Sequence, residues 1–229
     1  MEDAAAAMLA DEPAYTLVDA ARFLHLPYST LRYWVRGKDR HEPVIPADGG
    51  EYLSFRNLVE AHVLRGLRRG KDLSLPEIRR IVAVLARELD VARPLAHPKL
   101  RIHGSRILFE SGAALIETLP LGQMVLREVF AAHLERIAFE REIAVTIYPF
   151  VRVHTGPPEG TEPRIVRIDP RVQYGRPFVA EGIRTEVVGS RFEAGDTIGE
   201  LAEDYGCPTE HIEEAIRYEH TARHYQEAA

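Results

Sequence analysis

The chain has 229 residues, of which 45% are apolar and 28% charged, a size and composition that predict a globular protein of two compact units and exclude collagen-like, low-complexity or disordered classes. Charges interrupt every apolar stretch well short of the roughly 20 residues that cross a bilayer, so no membrane span is expected. The single cysteine, Cys207, excludes an internal disulfide; with an acidic N-terminus lacking a basic n-region, this points to a cytoplasmic protein.

The net charge of −6 is unevenly spread. Residues 1–14 carry 0 basic and 4 acidic side chains, 15–93 carry 14 and 10, 94–156 carry 7 and 6, and 157–229 carry 8 and 15. A cationic front can still hold a polyanion within an acidic chain, because phosphate neutralisation is local over about 8 Å at physiological salt. Residues 1–14 are expected to be a disordered acidic N-terminus.

In the segment from Tyr15 to Gly37, Thr16 is placed to cap a helix carrying Leu17, Ala20, Ala21 and Leu24. Pro27 prevents that helix from continuing. A second helix begins near Ser29, with Leu31, Trp34 and Val35 inward and Gly37 as its stop. The pair reads as a helix-turn-helix. His25 stands at the turn position where a left-handed backbone is needed, which histidine tolerates. The second helix presents Ser29, Thr30, Arg32, Tyr33 and Arg36 outward, side chains able to reach phosphates and base edges. An ordinary packed helical hairpin is the alternative. Val44 to Ser54, around Asp48-Gly49-Gly50, reads as a two-stranded hairpin where a wing belongs.

Two amphipathic helices follow. Ser54 caps the first; the second starts at a capping box, Ser74 to Glu77, and turns Ile78, Ile81, Val82, Leu85 and Leu89 inward. Arg65, Arg68, Arg69 and Lys71 crowd the junction, and Arg68, Arg69 and Lys71 join the candidate DNA contacts. The order of "YT", "STLRYW" and "SLPEIRRI" resembles the winged helix-turn-helix of MerR-like DNA-binding proteins over Tyr15 to about Leu89. That resemblance implies Arg32 and Tyr33 at the DNA. Metal sensing by clustered cysteines is not carried over to a chain with one.

Leu100 to Glu110 is expected to form a hairpin, Met124 to Phe139 a helix serving as core or dimer contact, and Glu142 to Val153 a strand. His154 to Arg164, rich in Pro, Gly and acid, reads as a linker. The expected units are thus 15–93, a mixed connecting or dimerisation region 94–156, and a C-terminal module 157–229. The whole is a mainly α protein with small β elements (α+β).

The C-terminal module reads as one strand, a Gly/Pro-rich loop and three short helices, with Asp196 or Thr197 and then Thr209 as caps and Gly206 as a stop. Its acidity disfavours a second DNA reader. The strings "IDP", "GRPFVAEGIR", "AGDTIGELAEDYG" and "EHIEEAIRYE" resemble the domain of unknown function 433. Gly175, Arg176, Pro177, Gly182 and Arg184 match its motif and are read as fold-defining. Joined to a MerR-like front, the resemblance implies a VapB-type antitoxin that dimerises, binds operator DNA and neutralises a PIN-like ribonuclease toxin. Arg184, Arg191, Arg217 and Arg223 are the candidate partner-binding residues, each able to pair with the carboxylates that a PIN-like active site implies. The alternative is a MerR-like regulator whose rear module senses a small ligand. An enzyme is not expected, and no catalytic residue, metal or cofactor is assigned: His220 and His224 stand at metal spacing without further ligands, and Cys207 lacks an activating neighbour.

Overall fold

The computed structural model describes residues 2–37, 42–69, 74–98, 100–103, 106–111, 114–120, 124–152 and 162–227. The expected mainly α architecture with small antiparallel sheets is present. Among the described residues no helix is long and apolar enough to cross a membrane.

The first element, α1 (Glu2–Asp11), corrects the expectation of a disordered N-terminus. Ala10 is buried against the main core, and Asp11 accepts Arg56 Nε at 2.6 Å, so the end of the helix is docked. The two helices of the turn motif are α2 (Leu17–Phe23) and α3 (Tyr28–Arg36). Thr16 caps α2 by accepting the amide of Asp19 at 3.0 Å. Ala20 and Ala21 are buried at the crossing, and α3 turns Leu31, Trp34 and Val35 into the core. Gly37, at φ 69°, ends α3 and returns its amide to Tyr33.

The wing differs from the expected hairpin. Val44 and Ile45 form no strand; their amides donate to the Trp34 carbonyl at 2.8 and 3.1 Å and close the end of α3. The partner of β2 (Tyr52–Leu53) is instead β1 (Tyr15–Thr16), with Thr16 opposite Tyr52. Buried Asn57 holds the connecting turn, accepting the amides of Asp48 and Ser54 and donating to Pro46 and Glu60. Ser54 caps α4 (Phe55–Arg69), whose Phe55, Leu58, Val63 and Leu64 form the centre of the core. The capping box expected at Ser74 and Glu77 opens α5 (Leu75–Leu89), with Ile78 fully buried.

Beyond α5 the expected hairpin is β3 (Leu100–His103) with β4 (Arg106–Ser111), and a third strand, β5 (Ala114–Pro120), extends it. Helix α6 (Met124–Leu134) ends earlier than the periodicity suggests. Ile137 and Phe139 belong to β6 (Ile137–Glu140), paired with β7 (Ile143–Ile147). Gly66 lets α6 press onto α4, since a Cβ there would lie 2.8 Å from His133.

The expected linker falls mostly outside the described residues. Its end is anchored: the Glu162 carboxylate accepts the amides of Val151 and Arg152, and Arg136 donates to the carbonyls of Tyr148, Glu162 and Pro163. Ile147 then exchanges backbone hydrogen bonds with Ile168, so the middle and C-terminal segments are knitted together.

The C-terminal segment forms a hairpin, β8 (Phe178–Val179) and β9 (Ile183–Arg184), then α7 (Thr185–Glu193), α8 (Ile198–Tyr205) and α9 (Thr209–Glu227). Thr197 caps α8 in a second capping box, and left-handed Gly206 ends it. Thr209 opens α9 as its first helical residue, and α9 runs 19 residues where a short helix was expected. Val166, Val179, Val188, Leu201, Ile212, Ala215 and Tyr218 close a second core.

Gly175 joins the two cores. It has φ 72°, and a Cβ there would lie 1.9 Å from the buried Tyr15 hydroxyl. Gly175→Ala is therefore expected to lower the free energy of unfolding by roughly 2 kcal/mol or more. Gly199→Ala, in α8 with open space around it, should raise the unfolding free energy by up to about 1 kcal/mol. Urea denaturation of both variants checks the contrast.

Candidate nucleic-acid interface and its brace

Helix α3 is strongly amphipathic, and its outward face carries the side chains singled out from the sequence. Arg32 and Arg36 are exposed, Ser29 is exposed, and Thr30 and Tyr33 are half-buried. Ser29, Arg32, Tyr33, Arg36 and Gly37 line one concavity of about 500 Å³. Arg36 reaches across to Glu51 at 3.5 Å, so the end of the helix and the turn before β2 form one surface. Such a surface suits phosphate and base-edge contacts, because Arg presents a fork of donors and Tyr a flat amphipathic ring.

The remaining predicted DNA contacts divide. Arg68 lies half-buried near the end of α4. The side chain of Arg69, and Lys71 entirely, fall outside the described residues. Arg65, expected in the same basic cluster, is 8% exposed and structural. Its guanidinium donates to the Leu24 carbonyl at 2.5 Å and lies 5.9 Å from the centre of the Tyr225 ring. A contributor outside the predicted set is Arg79 on α5, which donates to the Glu42 carbonyl and sits 5.6 Å over the Tyr33 ring. This cation–π contact fixes Tyr33 from behind and leaves both Nη atoms without a hydrogen-bond partner. The sequence signal was the pair Arg79-Arg80 at the start of an amphipathic helix.

The turn between α2 and α3 is held by the opposite end of the chain. His25 has φ 48°, the left-handed conformation expected from its position. Its Nδ1–H donates to the Phe150 carbonyl at 2.9 Å, and its ring lies 4.5 Å from Tyr218 and stacks over Tyr225. The Tyr218 hydroxyl, fully buried, donates to the Phe23 carbonyl at 2.8 Å. Beside it Arg22 meets Glu219 at 2.6 Å, and Glu219 also accepts the Thr185 hydroxyl at 2.6 Å. Gly189 makes room for the Glu219 side chain, since a Cβ there would come within 3.1 Å of its Cγ. Carbonyls at the end of α2 that the helix leaves unpaired are thus satisfied from outside.

A further aromatic group lies behind α4. His62 Nε2–H donates to the His133 carbonyl at 2.9 Å, and both rings pack on Phe150. Burial pushes His25 and His62 down to about 3. Burial pushes the Glu60 carboxyl up to about 7, although Arg93 pairs with it at 2.5 Å.

The four C-terminal arginines expected to meet a partner are already paired within the chain. Arg184 binds Glu186 at 3.1 Å, Arg191 binds Asp196 and Asp204 at 2.6 Å each, Arg217 binds Glu214, and Arg223 binds Glu193. Arg191 and Arg223 line one concavity with Arg22, Glu186 and Glu219. Cys207 is half-buried, and burial pushes its thiol up. His220 and His224 occupy the exposed face of α9.

Two outcomes follow for stability. Tyr218→Phe leaves the Phe23 carbonyl buried and unpaired and should cost about 1 to 3 kcal/mol. Between pH 4.5 and 6.5 the unfolded chain binds two protons at His25 and His62 that the folded chain refuses, whereas the folded chain keeps one at Glu60 that the unfolded chain releases. Net uptake on unfolding is about one proton, so stability should fall by roughly 1.4 kcal/mol for each pH unit of acidification. Glu60→Gln should steepen that slope towards two protons, measured as denaturation free energy against pH.

Residues 15–85 match the MerR HTH family regulatory protein, and residues 166–218 match the protein of unknown function DUF433. Two proteins of Mycobacterium tuberculosis (strain ATCC 25618 / H37Rv) are similar over nearly the whole chain. One, described as "Putative antitoxin VapB45", is 28% identical over 233 residues, covering 90% of this chain and 93% of its own length. The other, uncharacterized protein Rv2308, is 25% identical over 229 residues, covering 94% of each. The X-ray crystal structure of Rv2018 from Mycobacterium tuberculosis shares the fold, with a TM-score of 0.63 at 24% identity over 90% of this chain and 98% of that one. The front segment is thus similar to the MerR-type helix-turn-helix and the rear segment to DUF433.

Proposed function

We propose that the protein is the antitoxin of a toxin–antitoxin pair: residues 15–93 bind operator DNA and repress the operon, and residues 157–229 hold a PIN-like ribonuclease toxin inactive. The observation that carries the DNA half is the exposed Arg32 and Arg36 on α3 beside the turn that precedes β2, with Tyr33 propped by Arg79. What supports the antitoxin half is the similarity, across both segments, to the protein described as an antitoxin. Ser29 and Thr30 supply short donors to phosphate, Arg32, Tyr33 and Arg36 lie along the groove, and Arg68, Arg69 and Lys71 add positive charge.

Bound as a homodimer, two such modules read half-sites about 34 to 36 Å apart or a multiple of that spacing. On the toxin side, Arg184, Arg191, Arg217 and Arg223 exchange their own carboxylates for those of the partner. The pairs of Arg184, Arg191 and Arg223 are solvent-accessible and contribute only about 0 to 1 kcal/mol each, and the buried Glu214 keeps Arg152 when Arg217 leaves it. Residues 94–156 connect the two activities.

Arg32→Ala should weaken operator binding by about 1 to 3 kcal/mol and relax preference at one base pair. Arg68→Ala should weaken all sequences alike and flatten the salt dependence. Gel shifts on the upstream region at two salt concentrations check both; unchanged retention in both variants rejects the groove assignment. Co-expression with the adjacent reading frame followed by mass measurement tests the other half. A stable complex supports it, whereas operator affinity that responds to a metabolite with no protein partner favours a ligand-sensing regulator.

A further inference from the structure

Ahead of β8, the loop from Pro170 to Pro177 holds three successive residues with left-handed backbone: Gln173 at φ 51°, Tyr174 at φ 55° and Gly175 at φ 72°. Only the third is a glycine, and side chains as large as glutamine and tyrosine rarely adopt this conformation. The loop is firmly braced despite it. Asp169 accepts the amide of Arg171 at 2.9 Å and the Thr146 hydroxyl at 2.9 Å, Val172 and Gly175 close successive turns, and Gly175 is pinned against Tyr15. At the apex Tyr174 is 94% exposed, the most exposed of the large apolar side chains among the described residues. A strained backbone held by this many contacts, and projecting one aromatic ring that touches little of its own chain, marks a binding site.

The surroundings identify the occupant. Residues 164–184 carry five arginines and two acids, in contrast to the acidic helices that follow. Four of those arginines face carboxylates of their own chain, and the fifth, Arg167, donates to the Ala180 carbonyl and lies 4.9 Å over the Phe178 ring. Arg171 pairs with Asp169 and with Glu140 at 2.7 Å, and Arg176 and Arg184 share Glu186 at 3.4 and 3.1 Å. A surface meant for phosphates leaves its cations unpaired, whereas a rigid tyrosine among charge-compensated arginines has the make-up of a protein hot spot. Ordering cost is low as well, since the loop is already fixed.

We propose that Tyr174 is the anchor by which the C-terminal module seats a protein partner, its ring entering an apolar pocket that offers the phenol a hydrogen-bond acceptor. This rests on the antitoxin reading above and names the contact surface that reading lacks.

The test uses the full chain and, as probe, the purified product of the adjacent reading frame. Wild type, Tyr174→Ala, Tyr174→Asn and Tyr174→Phe are titrated against it by calorimetry, and each is also assayed by thermal melting and by gel shift on the upstream DNA. Tyr174→Asn keeps a residue tolerant of left-handed backbone, which separates loss of the ring from collapse of the loop. The expected result is at least a ten-fold weaker complex for both Ala and Asn, a smaller loss for Phe, and unchanged melting and DNA retention. Equal affinity of wild type, Ala and Asn for the probe overturns this inference and leaves the antitoxin reading standing. No complex with wild type overturns both. Intact partner binding with lost DNA retention makes the loop a nucleic-acid contact and overturns the assignment to a protein.

Discussion

The geometry of the helix-turn-helix depends on a contact made by residues almost two hundred positions away. Tyr218 and Glu219, one turn of α9, meet the last turn of α2 through a buried hydrogen bond to Phe23 and an ion pair to Arg22. Glu219 is 4% exposed. A carboxylate taken that far out of water is tolerated only with full compensation, which Arg22 and the Thr185 hydroxyl provide. Around this pair the turn is closed on every side: Leu24 by Arg65, His25 by Phe150 and two tyrosine rings. The angle between α2 and α3, and with it the placement of Arg32 and Arg36, is set by the C-terminal module as much as by the turn itself.

The outward face is supported in the same manner. Trp34 and Val35 root α3 in the core, the chain after Gly37 returns to cap it through Val44 and Ile45, and Arg79 backs Tyr33. The exposed arginines therefore project from a helix fixed at its base, its end and its flank. Rigid placement favours recognition, because side chains carried by an ordered element lose less freedom on binding.

Much of this was legible along the chain, and what was not has a common cause. The capping box at Ser74, the cap at Thr16, a cap at Asp196 or Thr197 and the left-handed His25 are local, and local chemistry decided them, with Thr197 taking the cap. The apolar faces of α3 and α5 follow from helical periodicity. The partner of Tyr52 and Leu53 did not, since a two-residue strand carries no period and its pairing with Tyr15 and Thr16 is long-range. Ile137 and Phe139 fit both a helical and a strand pattern; pairing with β7 resolved them. Arg65 looked like a surface cation, because burial by a distant Tyr225 leaves no mark on the adjacent sequence. Of the site, the face of α3 could be read directly; its brace by Tyr218, Glu219 and Arg79 depends on the folded arrangement.

The ion pair between Arg22 and Glu219 also constrains how such chains diversify. Grafting a foreign rear segment that lacks acids at positions 186 and 219 and a tyrosine at 218 would strand the Arg22 guanidinium and leave the Phe23 carbonyl without its donor. Substitutions at positions 22, 218 and 219 must therefore arise together or in compensating order, so that shuffling between lineages favours the whole assembly over its halves.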